Sequence, residues 1–173
     1  SVPTYAISGV AAVAFTLPVY PVRLLAQTPQ PHINPDAAET VGWPRFTAEV
    51  ARVYRALPVG ERSRTTIVTG SYGEAGALDR YGPALGLPRA YSGHNGFWHF
   101  GRPTGTGGPT IYVGPEGAEG AAYLRRFWTD VTVAGQIDNG VGLDNEEQGK
   151  PVWLCRGQRA PWPVLWPKLK HLS

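Results

Sequence analysis

The sequence predicts an α/β fold: a layered sandwich with a mostly parallel, Rossmann-like sheet of about five strands flanked by helices. Three observations carry this. Short β-branched runs alternate with helix-like stretches from about residue 43 to the end. Runs such as TTIVT (65–69) and TIYV (110–113) lack polar alternation, which suits strands covered on both faces. Twenty-two glycines and 17 prolines among 173 residues punctuate the elements with tight loops.

Taken in order, the first 22 residues carry no charged side chain. Ala6 to Leu17 is continuously apolar or small, too short for the roughly 20 residues a membrane span needs. It lacks the basic leader of a signal peptide. It reads either as the last turns of a truncated membrane helix or as a buried element of the domain, and a chain beginning at Ser1 reads as an excised piece. Pro18, Pro21, Pro29, Pro31 and Pro35 then make an extended connector, because proline fixes φ and removes a donor. The expected organisation is therefore a stem and connector over 1–34 and an α/β domain over 35–173.

Trp43-Pro44 opens a helix, with proline at an early helical position. Phe46, Val50, Val53, Tyr54 and Leu57 form its apolar stripe, and Pro58 stops it. Thr65 to Thr69 is the first strand. Glu74 to Tyr81 is a short helix broken by Gly82-Pro83, and Arg89 to Ser92 is a second strand. After an aromatic and glycine-rich loop, Thr110 to Val113 is the third strand and Glu119 to Trp128 a helix. Asp130 to Ala134 and Val152 to Cys155 are the fourth and fifth strands, separated by an irregular loop rich in Asp, Asn, Glu and Gly. Trp162 to Leu169 is a closing helix, with Trp153, Trp162 and Trp166 as packing anchors.

A net charge of +3 comes from scattered basic pairs, not from a basic run interleaved with aromatics, so nucleic acid is not an expected partner. The single Cys155, inside VWLC, reads as a small core residue. The four histidines lack zinc-ligand spacing, and no metal is expected. Asp138, Asn139, Asp144, Asn145, Glu146 and Glu147 do not have EF-hand spacing and read as a solvated acidic loop.

Two polar clusters follow neighbouring strands: Ser71-Tyr72-Gly73-Glu74 and Ser92-Gly93-His94-Asn95. In an open parallel sheet both emerge at the carboxyl edge, where ligands bind. Neither is a dinucleotide fingerprint, a P-loop or a nucleophile elbow. Glu74 is placed either to cap its helix or to accept from a ligand hydroxyl. His94 is placed either to lock its loop, pairing with Glu74 or with backbone, or to meet a ligand together with Asn95 and Trp98. Tyr72, Glu74, His94, Asn95 and Trp98 are thus the ligand-binding candidates. A Ser71, His94, Asp138 triad can be drawn, but nothing in the spacing singles it out.

Three stretches together carry a resemblance: GWPRFTAEVARVYRALP, the series TTIVTGSYGEAGALDRYGPALGLPRAYSGHNGFWHFG, and DNEEQGKPVWLCRGQRAPWPVLWPKLKH. The chain resembles the C-terminal soluble region of bacterial membrane glycosyltransferases of family 39, the dolichyl-phosphate-mannose–protein mannosyltransferase-like group. The resemblance spans roughly Leu17 to His171 and favours the membrane-stem reading of Ala6 to Leu17. It implies an extracytoplasmic accessory domain at the cell membrane, joined to a membrane-embedded transferase that uses a polyprenyl-phosphate-linked sugar. It places the catalytic carboxylates in that membrane portion, so no catalytic residue and no cofactor is expected in this chain. The implied partners are the transferase portion and a glycan or glycolipid acceptor. A purely structural domain and an independent hydrolase are the alternatives.

Overall fold

The computed structural model describes residues 7–9, 12–13, 21–28, 31, 41–105 and 107–172. The chain divides into two compact units, Ser1–Gly42 with Asp138–Gln148, and Trp43–Ile137 with Gly149–Ser173.

In the smaller unit, α1 (Val22–Leu25) is a single turn. Leu25 and Leu143 are buried together, with Val41 and Val141 against them. The segment expected to be a solvated acidic loop is instead alternately exposed and buried. Asp138, Asp144 and Glu146 face solvent, whereas Asn139, Asn145 and Glu147 are buried. The reason is local hydrogen bonding. Asn139 Oδ1 accepts from Val141 N and Leu143 N, and Asn145 Nδ2 donates to Val41 O at 3.2 Å. The expected stem over 6–17 and the proline-rich connector lie largely outside the described residues, which there include only 7–9, 12–13, 21–28 and 31; within the connector, expected to be extended, Val22–Leu25 instead forms a helical turn. Among the described residues, no helix is long and apolar enough to cross a membrane.

The larger unit is the α/β sandwich. Its helices are α2 (Trp43–Ala56), α3 (Val59–Arg62), α4 (Tyr72–Tyr81), α5 (Gly117–Arg125) and α6 (Trp162–Leu165). Its strands are β1 (Thr66–Thr69), β2 (Ala90–Ser92), β3 (Thr110–Val113), β4 (Trp128–Gln136) and β5 (Pro151–Gln158), in the order β2-β1-β3-β5-β4.

The five strands are present as expected, but the helix expected over Glu119 to Trp128 ends at Arg125, Trp128 begins β4, Val59–Arg62 adds a helical turn, and the sheet is mixed and not mostly parallel. β1 is parallel to β2 and to β3, whereas β5 is antiparallel to both β3 and β4. The cause is the connection before β5. Parallel neighbours need a crossover, usually a helix. Residues 137–150 contain no helix, and the chain returns against β4 in the opposite sense. The pair β3 and β4 keeps the direction set by the α5 crossover, with β5 inserted between them.

Alternation along each strand divides the core between the two faces. Ile67, Ile111, Val113 and Val152 pack with Phe46, Val50 and Val53 of α2 and with Ala75 and Leu78 of α4. Val68, Tyr112, Trp153 and Cys155 pack on the other face with Leu124, Trp128, Trp162 and Trp166. Each large apolar side chain so buried contributes about 1.5–3 kcal/mol of transfer free energy. Trp153, Trp162 and Trp166 are packing anchors, and Cys155 is a fully buried small residue. The closing helix is shorter than expected. It is α-helical only over Trp162–Leu165 and tightens to a 3₁₀ turn over Trp166–Leu169, where Pro167 supplies no N–H.

Candidate ligand-binding crevice

From β1 the chain moves to β2 on one side, and from β3 through α5 to β4 on the other. The loops leaving the carboxyl ends of β1 and β3 therefore part, and a crevice opens at such a switch point. The two strand ends lie close. Gly70 N donates to Val113 O at 2.8 Å, and a Cβ on Gly114 would meet Gly70 N and Cα at 3.3 Å. Gly114 also has φ of +147°, which L side chains rarely adopt. The resulting cavity has a volume of about 640 Å³.

Glu74 enters the crevice wall from the first turn of α4 and is part of its own cap. Ser71 Oγ accepts from Glu74 N at 3.1 Å, and Glu74 Oε2 accepts from Ser71 N at 2.9 Å, a reciprocal capping box. Glu74 Oε1 accepts from Lys150 Nζ at 2.9 Å, with the carboxylate fully buried and the ammonium side chain 16% exposed. Burial pushes the Glu74 carboxyl above its ordinary range, while the Lys150 ammonium and the Ser71 and Gly70 N–H groups pull the other way. Lys150 is held just before β5 by Ile137 N, which donates to Lys150 O at 2.8 Å.

His94 leaves β2 in an extended conformation and is stacked between neighbours. Its ring lies 4.9 Å from His171, nearly parallel at 12°, and 5.1 Å from Tyr72. Asn95 Nδ2 donates to His94 Nε2 at 2.9 Å, which assigns the His94 proton to Nδ1. That nitrogen is buried and has no partner among the described residues. Asn95 itself has φ of +50°, a conformation asparagine tolerates better than most side chains.

The C-terminal segment completes this wall. His94 and His171 form a parallel bridge, with Asn95 N donating to His171 O at 3.0 Å and His171 N donating to Gly93 O at 3.1 Å. Only glycine fits at 93, since a Cβ there would lie 2.0 Å from Leu169 O. The His171 ring faces two carbonyls, Nδ1 to Leu169 O at 2.9 Å and Nε2 to Gly70 O at 2.8 Å.

Tyr112 contributes from β3. It is 3% exposed and lines the crevice, and no hydrogen bond reaches its hydroxyl among the described residues. Burial above all, with Tyr123 and Glu74 nearby, pushes the phenol well above its ordinary range, so the group remains a neutral O–H. Pro115 is fixed by Trp153 Nε1, which donates to its carbonyl at 2.9 Å. Glu116 at the start of α5 makes no side-chain cap and faces the crevice with Tyr123.

No known family, no curated protein and no solved structure matches the chain.

Of the five residues expected to form a site, Glu74 and His94 line the crevice. Tyr72 stands beside His94 and is 55% exposed, and Asn95 braces the His94 ring. Trp98 does not join them. It lines a separate groove, donating to Trp166 O at 3.4 Å, because the 3₁₀ turn Asn95–Phe100 carries it away from the strand ends. The expected pairing of Glu74 with His94 is replaced. Glu74 is bound to Lys150 and Ser71, while His94 is bound to Asn95 and stacked on His171. Sequence reasoning missed Lys150, His171, Tyr112, Glu116 and Tyr123. Tyr112 had a signal, since it alternates with Ile111 and Val113 within a strand that leads into Gly114; Lys150 and His171 had none, because their positions depend on non-local pairing.

Chemically, the crevice offers hydroxyl donors, a carboxylate and aromatic rings. It has no nucleophile with a base: Ser71 Oγ is engaged in the cap, and neither histidine ring nitrogen meets a serine or cysteine among the described residues. Among the described residues no group of three or more His, Cys, Asp or Glu is placed to hold a metal ion.

Proposed function

We propose that this chain is a ligand-binding accessory domain whose crevice takes a neutral, hydroxyl-rich ligand such as a glycan. The observation that carries the reading is the crevice itself. It lies at the topological switch point, and Tyr112, whose hydroxyl makes no hydrogen bond among the described residues, is part of its lining. Glu74 is paired with Lys150, and the exposed Glu116 carboxylate at the crevice is placed to accept from ligand hydroxyls. Tyr112 and Tyr123 add aromatic surface to the crevice lining.

Together with the resemblance to family 39 transferases, this supports an extracytoplasmic domain that presents the acceptor glycan to a membrane-embedded, polyprenyl-phosphate-sugar-dependent catalytic portion. Titration of the chain with neutral oligosaccharides, followed by amide NMR shifts, tests the binding. Saturable shifts at Gly70, Ser71, His94 and Tyr123 are expected; their absence at millimolar glycan overturns the reading.

A structural reading is favoured by one observation, that every Glu74 oxygen is already engaged within the protein. On that reading Tyr112→Phe changes nothing that a ligand would sense.

A further inference from the structure

A second face of the larger unit combines exposed apolar side chains with cations. The turn Asn95–Phe100 and the closing segment Trp162–Leu169 flank a groove of about 370 Å³ lined by Trp98, Trp166 and two prolines. On these same two segments Phe100 is 66% exposed and Val164 48% exposed. Residues 95–105 and 160–172 contain Arg102, Lys168 and Lys170 and no aspartate or glutamate. All three cations are exposed, and Lys170 Nζ lies 4.4 Å above the Trp98 ring.

We propose that this face docks on an anionic lipid surface. Phe100 and Val164 enter the headgroup region, and Arg102, Lys168 and Lys170 meet the lipid phosphates. Aromatic and aliphatic side chains ringed by cations are what the bilayer interface selects. Long cationic side chains lay their stems on apolar groups and keep their charge at phosphate depth, as Lys170 does over Trp98. An acidic peptide would meet the cations but leave the exposed Phe100 ring without a role. Single-stranded nucleic acid would stack on the exposed Phe100 ring but leave the exposed Val164 without a role.

The test is co-sedimentation of the whole chain with phosphatidylcholine vesicles, with and without one third phosphatidylglycerol. Binding to the anionic vesicles alone, weakened by salt, is expected. Each cation near such a surface contributes about fivefold, so R102Q/K168Q/K170Q lowers partitioning on the order of a hundredfold. Phe100→Ala, at a solvent-exposed position, lowers it about five- to tenfold. The charge-matched control R45Q/R80Q/R125Q, on other exposed positions, keeps at least most of the binding. No binding, equal binding to neutral vesicles, or an equal loss in the control overturns the proposal. So does binding to polyglutamate as tight as to vesicles and indifferent to Phe100→Ala. Circular dichroism confirms that each variant is folded.

Discussion

Glu74 and Lys150 meet at 2.9 Å across 76 residues of sequence, and the carboxylate is wholly buried. The pair joins the first turn of α4 to the entry of β5, and with it the parallel and antiparallel halves of the sheet. A buried pair of this kind contributes little relative to an apolar replacement, but losing one partner leaves a charge without compensation.

Lys150→Met therefore destabilises the chain by about 3–5 kcal/mol at neutral pH. With the ammonium gone, burial holds the folded Glu74 carboxyl further above its unfolded value. A raised folded value gives stability that is full below the ordinary carboxylate range and is lost as pH rises through the folded value. Urea midpoints should thus show the variant closer to the parent in mild acid than at neutral pH. Adding Glu74→Gln to Lys150→Met should recover part of the loss.

The cap is separable from the pair. Ser71→Ala removes the oxygen that accepts from Glu74 N while leaving Lys150 in place. A loss of about 1 kcal/mol is expected, which lowers the melting temperature of a chain this size by about 2–4 °C.

What the sequence specifies divides along local and non-local lines. The β1 and β3 strands were readable because TIVT and TIYV are buried on both faces. The α2 helix was readable because Phe46, Val50 and Val53 recur at helical spacing. Helix α4 begins two residues earlier than expected, since the Ser71 cap takes in Tyr72 and Gly73. The antiparallel insertion of β5 was not readable, because register between distant strands leaves no trace in local pattern. Likewise Glu74 and His94 were recognisable as polar groups at strand ends, while their true partners, Lys150 and His171, arrive from elements far along the chain.

The docking of the C-terminal segment on the loop after β2 depends on Gly93. Gly93→Ala forces its new methyl into the Leu169 carbonyl, so the segment must shift or detach. Overpacking of this type costs about 1–3 kcal/mol. Hydrogen exchange at the Asn95 and His171 amides should accelerate more than exchange at Ile67 or Ile111, which sit in the central strands.

Cys155 is fully buried in β5, and burial pushes its thiol up to about 12. The thiolate is the reactive form, so the native chain should not react with Ellman's reagent at mildly alkaline pH. Full reaction of one thiol is expected once guanidinium unfolds it. Fast native reaction would show that the Cys155 face opens.

The proposed binding of a neutral, hydroxyl-rich ligand at the switch-point crevice runs through the Tyr112 hydroxyl. Neutral-glycan titration of the parent and of Tyr112→Phe, read by amide shifts, measures it most directly. Saturable shifts are expected at Gly70, Ser71, His94 and Tyr123, with binding weakened several-fold in Tyr112→Phe at unchanged melting temperature. Shifts confined to the Trp98 groove, or equal affinity in both proteins, would contradict it.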